Sequence, residues 1–357
     1  MSGTVADERE KPKGGSPLPK SILKWAAAGL VLTSAVVIVI SLYSGVTLSD
    51  LARLGYLTFG LAAAASAARL LVQIVRFRVI AKGLVGDTMH DLDGSALARV
   101  SSEFVSLSTP ATSAGVVIRM AWMGSKGVDG GRALWVGYFE VLLEVYVEAG
   151  LAFIAAAYAF SRGAVAIGST ITAVAAILTI GYTAIFIIPA LRVIKVPHRL
   201  FTLAEFLVGG PKATALYLRA VVGSLNFSLA ARAILSRKHL PVTLKVVGLT
   251  IVENLLAGAA LWLILNAAGL KIDLFSSILA AYGVAVIAEV PISIGGAGLT
   301  ELTMQTYLTT VYGFSSWAAV VLWRIATYQV LLAITGIVFV VYLRRATGSP
   351  SKVVEKD

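Results

Sequence analysis

The chain has 357 residues, of which 58% are hydrophobic and only 14% charged, with a net charge of +11. Its mean hydropathy of +0.86 lies outside the range of soluble domains and places the chain in a membrane. Cysteine is absent, which excludes a disulfide framework, a thiolate metal site and a redox pair.

Residues 1–20 are polar and charged and read as a cytoplasmic tail. The apolar run that follows is too long for the core of a cleavable signal, so the first helix is expected to remain. Crossings are predicted at about 22–44, 54–76, 133–160, 165–191, 217–236, 244–269, 274–290 and 316–342, since roughly 20 apolar residues span the hydrocarbon. Basic residues gather at segment ends, as at Lys20 and Lys24, Arg76, Arg78 and Lys82, Lys126 and Arg132, Arg192, Lys195 and Arg199, and Arg344 and Arg345. That is a positive-inside distribution with attraction to an anionic lipid surface, and it argues against nucleic acid as a partner. Both termini are then expected in the cytoplasm of a multi-pass protein of the cell membrane.

One crossing sits uneasily in this count. Segment 217–236 is short, contains Arg232, and would place Arg237 and Lys238 on the outer side. Whether it crosses stays open. Segment 83–96 reads as a polar loop, and 192–216 as a basic linker carrying Pro197, Gly209, Gly210 and Pro211. The whole is expected to be one transmembrane domain over 21–345, with halves 21–191 and 212–345 and a cytoplasmic tail at 346–357.

Two apolar stretches are too interrupted to span. The first, about 97–122, predicts a helix, a break at Ser108-Thr109-Pro110, and a second helix from 114. The second, about 291–312, starts at Pro291, passes Gly295, Gly296 and Gly298, and resumes as helix at Leu299. Proline and glycine together break a helix, and broken helices at membrane depth persist only where they line a cavity or pack within protein. Matching interruptions in two halves point to a transport site. The predicted fold class is therefore an all-α polytopic membrane protein of about eight transmembrane helices plus two broken, re-entrant segments. An inverted duplication of the halves would account for the pairing.

Ionisable groups at membrane depth are costly and are functional candidates. Glu140, Glu144 and Glu148 recur every four residues and form one acidic stripe, drifting about 40° per step. Stacked like charges repel, so the stripe predicts basic partners such as Arg119 or Arg132, or a charge relay. Arg119 follows the first break by one turn, where it and the backbone near Pro110 and Gly115 suit a lipid phosphate. Its alternative is a snorkelling helix-end arginine. Glu289 and Glu301 bracket the second break, and a Glu301–Arg324 pair would fix that break against the last helix or gate it. Glu253 and Asn254 suggest helix–helix hydrogen bonding, and Arg69 ranks lower because it can snorkel.

His90, His198 and His239 lack metal-ligand spacing, and no Walker loop is present. No cofactor or metal is expected. Asp91-Leu92-Asp93 is an isolated tripeptide in a loop, and Asn226-Phe227-Ser228 is a glycosylation sequon in form only.

These motifs resemble the transmembrane (flippase) region of the lysylphosphatidylglycerol synthase family. Thr109-Pro110 with Gly115 and Arg119 looks like its Pro–small–Gly–Arg element. The run from Pro291 through Gly295, Gly296 and Gly298 to Glu301 looks like its Pro–Gly–Gly–x–Gly–x–x–Glu element, and Trp323-Arg324 like its late membrane arginine. The likeness covers about 20–345. Val141 departs from it, falling where many members carry arginine between the glutamate and a following aspartate. Members that synthesise aminoacylated lipid carry a large soluble transferase domain at the C-terminus, whereas this sequence continues about a dozen residues past its last helix. The resemblance thus implies lipid movement without aminoacylation, with Arg119, Pro110, Gly115, Pro291, Gly295, Gly296 and Gly298 toward the lipid. Glu140, Glu144, Glu148, Glu289, Glu301 and Arg324 would serve charge balance or gating.

The leading expectation is a flippase or transporter for an anionic or zwitterionic phospholipid or polyprenyl phosphate. Two others stand beside it: an integral membrane enzyme of lipid-linked substrates, and an accessory subunit for a separate lipid-modifying enzyme. A homo-oligomer is compatible with each.

Overall fold

A computed structural model of the protein describes residues 20–86, 89, 91–109, 112–234 and 237–347. Pro110, His90 and the tails at 1–19 and 348–357 lie outside the described residues. The fold is all-α, with no strand among the described residues. Its helices are α1 Lys20–Ser44, α2 Leu48–Arg53, α3 Tyr56–Val85, α4 Leu92–Leu107, α5 Val116–Ser125, α6 Gly130–Ser161 and α7 Val165–Leu191. They continue with α8 His198–Val208, α9 Gly210–Ile234, α10 Leu240–Ala267, α11 Leu274–Ala288, α12 Leu299–Tyr312, α13 Trp317–Arg324 and α14 Val330–Thr347. A π-helical turn, Ile325–Gln329, joins α13 to α14 into one rod.

Among the described residues, six helical stretches are long and apolar enough to cross a bilayer: Tyr56–Val85, Gly130–Ser161, Val165–Leu191, Gly210–Ile234, Arg237–Ala267 and Trp317–Arg345. Several boundaries differ from expectation: the linker expected at 192–216 holds α8 and the first turns of α9, so the segment expected at 217–236 is the helix Gly210–Ile234. The predicted crossing 54–76 runs about two and a half turns further, to Val85, because nothing in 77–85 breaks the helix and Gly86 ends it at φ 105°. The predicted crossing 274–290 is a 15-residue helix ending at Ala288, about 22 Å long at 1.5 Å per residue and short of the roughly 30 Å hydrocarbon.

Small side chains let the helices close. Ala152, Ala156 and Ala159 of α6 are buried with Ile171 and Ala175 of α7, and Ala155 lies against Gly283 of α11. Apolar surface gives membrane helices little reason to associate, so close backbone approach and packing carry the contact.

Each interrupted segment forms a helical hairpin with its break at the tip. In the first, α4 ends at Leu107, a 3₁₀ turn covers Thr112–Gly115, and α5 returns. Its open end is closed by Asp91, which caps α4 through the Gly94 amide at 2.9 Å and pairs with Lys126 at 2.8 Å. The Lys126 ammonium and that amide hold the Asp91 carboxyl below the usual carboxylate range. In the second hairpin, α11 descends to the break at Pro291–Gly298 and α12 climbs back, so that the Tyr312 hydroxyl meets the Ser276 carbonyl at 3.4 Å.

The hairpins open toward opposite ends of the bundle. Arg132 at the start of α6 donates to the Leu84 carbonyl at 2.6 Å, which places the end of α3 and the mouth of the first hairpin at one end. Tyr158, near the end of α6, packs on Tyr312 at the mouth of the second. Packing is crossed in the same sense, with α4 against α14 and α11 against α6. The tips meet in the middle, where the Gly295 amide lies 3.5 Å from the Thr109 carbonyl and the Tyr328 hydroxyl donates to the Leu107 carbonyl at 2.5 Å.

Candidate functional site

The site grows from polar stripes on four apolar helices. Arg69, Gln73 and Arg76 share one face of α3 at i, i+4 and i+7; Glu140, Glu144 and Glu148 share one face of α6. Arg99 and Glu103 sit one turn apart on α4, and α10 contributes Thr250, Glu253 and Asn254.

Arg76 is the hub. Fully buried, it donates to Glu253 at 2.6 Å, to Thr250 at 3.2 Å, to Glu140 at 3.3 Å, and to Glu144. Glu253 also accepts from Gln73 at 2.6 Å and from Arg69 at 3.3 Å. Glu140, likewise fully buried, accepts from Arg99 at 3.3 Å and from Arg119. Arg99 reaches Glu103 at 2.9 Å. A buried charge is tolerable only when paired and hydrogen-bonded, and this lattice ties α3, α4, α5, α6 and α10 together by that requirement.

The second break is held by one arginine. Arg324 donates to Glu301 at 2.9 Å and to the Gly295 carbonyl, and its guanidinium lies 3.9 Å from the centroid of the Tyr328 ring. Glu301 uses its other oxygen to cap α12, accepting from the Gly298 amide at 2.8 Å. The expected Glu301–Arg324 pair is present. Since Tyr328 also bonds Leu107, the two side chains form a clasp across both breaks, Arg324 just before and Tyr328 within the π-helical turn, a local form found often at functional sites. Gly295 has φ 56°, and a Cβ there would run into the Tyr328 hydroxyl. Gly115 needs its bareness for a different reason: a Cβ would strike the Ser102 carbonyl of the facing helix. Gly296 and Gly298 also take positive φ.

Between these elements lies a cavity of about 260 Å³. Arg69, Arg99, Arg119 and Arg324 line it, with Glu103, Glu144, Glu148, Glu253 and Glu289, and with Gly295, Thr300, Tyr282 and Tyr328. Two of its groups keep capacity to spare. The Nε of Arg119 is buried with no hydrogen-bond partner, although its Nη1 is engaged by Glu140. Glu148, on the cavity wall, makes no hydrogen bond or ion pair among the described residues. In and beneath the cavity, five arginines (69, 76, 99, 119 and 324) face seven glutamates (103, 140, 144, 148, 253, 289 and 301). By residue count the carboxyl groups outnumber the guanidiniums by two.

The structure therefore gathers Arg119, Glu144, Glu148, Glu289, Gly295 and Arg324 at one cavity, with Glu140 and Glu301 just behind them as pairing partners. Gly115 supports the first tip against Ser102, while Pro291 and Gly298 lie in the second break away from the lining. Arg132, offered as a partner of the acidic stripe, instead donates to the Leu84 carbonyl. Sequence reasoning missed Arg76, read as a segment-end cation, and Arg99 and Glu103. Arg69 also carries more than its low rank. The signal that finds Arg69 and Arg76 is their i, i+4, i+7 spacing with Gln73 on α3, and the signal for Arg99 and Glu103 is their i, i+4 spacing on α4.

Fold and site together define a polytopic helical membrane protein with a charge-lined cavity between two broken hairpins. The family described as "Lysylphosphatidylglycerol synthase TM region" matches residues 25–335, most of the chain. The chain belongs to that family, which ties it to membrane lipid. No curated protein and no solved structure matches the chain.

Proposed function

We propose that the protein translocates a phospholipid with an anionic or zwitterionic headgroup, which passes through the central cavity while its acyl chains stay in the bilayer. The observation that carries this reading is the cavity itself: two broken hairpins from opposite ends meet at a hollow with an unengaged guanidinium N–H on Arg119 and the Glu148 carboxyl on its wall. Family membership supports it. At about 260 Å³ the hollow has room for a headgroup, not for a pair of acyl chains.

In this reading the Arg119 Nε takes a phosphate oxygen, a charge-assisted bond of the strong kind. The excess of carboxyl groups favours a headgroup that also brings a cation, with Glu148 to receive it. The hairpins are re-entrant, one from each face of the membrane, and the clasp at Arg324 and Tyr328 sets the seam along which access changes sides. The basic end, where α14 finishes at Arg344 and Arg345, faces the cytoplasm, so both termini lie there.

The test is transbilayer relocation in proteoliposomes of headgroup-tagged phosphatidylethanolamine and phosphatidylglycerol. Relocation of chemically unchanged lipid supports transport. A covalently altered lipid would assign the protein to enzymology, and relocation that needs a second protein would make it a subunit.

A further inference from the structure

The α8–α9 hairpin stands apart from the bundle. The chain leaves α7 at Leu191, where Arg232 of α9 donates to the Ala190 carbonyl at 3.0 Å. It then runs beside α9 in the opposite direction, since Ser224 donates to the Ile194 carbonyl at 2.6 Å and Tyr217 to the Val196 carbonyl at 3.2 Å. The ring of Tyr217 packs on His198 and Phe201, and Phe227 on Trp135 and Tyr138 near the start of α6. The far end of α9, Ile234, lines a second cavity with Leu84 and Arg132, at that same end of the bundle. The middle of α9, where Gly223 lies against Gly131, and its far end at Ile234 thus both sit by the end of the bundle where α7 finishes and α6 begins.

We infer that α8 and α9 form an amphipathic hairpin lying in the membrane interface and gripping an anionic leaflet, and that α9 does not cross the bilayer. Three faces of α9 carry the argument. Leu218, Val221, Val222, Leu225 and Leu229 make one exposed apolar stripe at helical spacing. Lys212 and Arg219 fall on another face with Asn226, and Phe227 meets the bundle on the third. On α8, Leu200, Leu203 and Leu207 are exposed together while Thr202 and Glu205 share the opposite side. A surface this apolar does not project into water. A helix apolar on one face and basic on another lies in the interface plane and is drawn to anionic lipid. Charge complementarity names the occupant: segment 192–239 holds eight lysines and arginines against one carboxylate, Glu205. The placement also removes the conflict at Arg237 and Lys238, which now share a side with the other basic clusters.

The absence of native cysteine makes the test clean. Single variants Lys212→Cys, Lys238→Cys, Lys126→Cys and Arg162→Cys of the full chain are labelled with a membrane-impermeant maleimide in sealed vesicles. Positions 212, 238 and 126 should react from one face and 162 from the other; reaction of 212 and 238 from opposite faces would overturn the inference. A fluorophore on Val222→Cys, in nanodiscs holding one copy, should be quenched by brominated lipid, and at least twofold more by brominated phosphatidylglycerol than by brominated phosphatidylcholine. No quenching, equal quenching by the two lipids, or shielding that appears only with two copies per disc would each contradict it. Neither measurement depends on lipid transport, so its failure leaves the proposed function standing.

Discussion

The two ends of the acidic stripe on α6 make an instructive contrast. Glu140 is fully buried and reached by Arg76, Arg99 and Arg119. Glu148, two turns away on the same face, lines the cavity and has no cation within ion-pair distance among the described residues. Same residue type, same helix, opposite treatment. A carboxylate surrounded by arginines holds helices together; one left open toward a hollow is available to something that comes and goes. The contrast separates scaffold from site without appeal to motif.

Breaking the scaffold end should cost most. Arg76→Met strands Glu140, Glu144 and Glu253 around an apolar side chain, and losing one partner of a buried pair costs about 3–5 kcal/mol. We expect loss of monodisperse protein in detergent, or a steep fall in thermal midpoint; a midpoint unchanged from wild type would show that the network is not structural. Arg119→Ala should be milder for stability, because Glu140 keeps two arginines, but should weaken binding of phosphate-bearing lipid about tenfold, or about 1.4 kcal/mol. Unaltered lipid binding would remove Arg119 from the site. Tyr328→Phe deletes the hydrogen bond from the last helix to the tip of the first hairpin, worth about 1 kcal/mol, and should speed amide exchange around Leu107 and Gly295. Unchanged exchange there would leave the clasp without consequence. Glu148→Gln should move stability within about 0.5 kcal/mol yet alter the pH dependence of relocation, and an identical pH profile would demote the open end of the stripe to architecture.

How far the sequence disclosed this molecule depends on whether the signal is local. The second break was legible from Pro291 to Leu299 because proline and glycine act on their own backbone, and the helix does resume at Leu299. The Glu301–Arg324 pair was legible because each flanked a break or sat in the last crossing. The hub was not. Arg76 contacts residues 64 and 177 positions away, and ending its helix nine residues early turned a central cation into an apparent interface anchor. Arg99 and Glu103 pair with each other one turn apart on α4, a spacing the sequence does display; what it hides is that Arg99 also reaches Glu140 on α6, 41 positions away. The 15-residue length of α11 was masked by the apolar run continuing to Val290, which disguised a returning hairpin as a crossing.

Occupancy of the cavity by a lipid headgroup can be read directly. Ala285→Cys, on the cavity wall in a chain with no other thiol, should react with a small aqueous thiol reagent in lipid-poor detergent and be protected by added phosphatidylethanolamine or phosphatidylglycerol. Arg119→Ala should relieve that protection. A thiol equally reactive with and without phospholipid, or equally protected in the Arg119→Ala background, would contradict a headgroup held at this hollow.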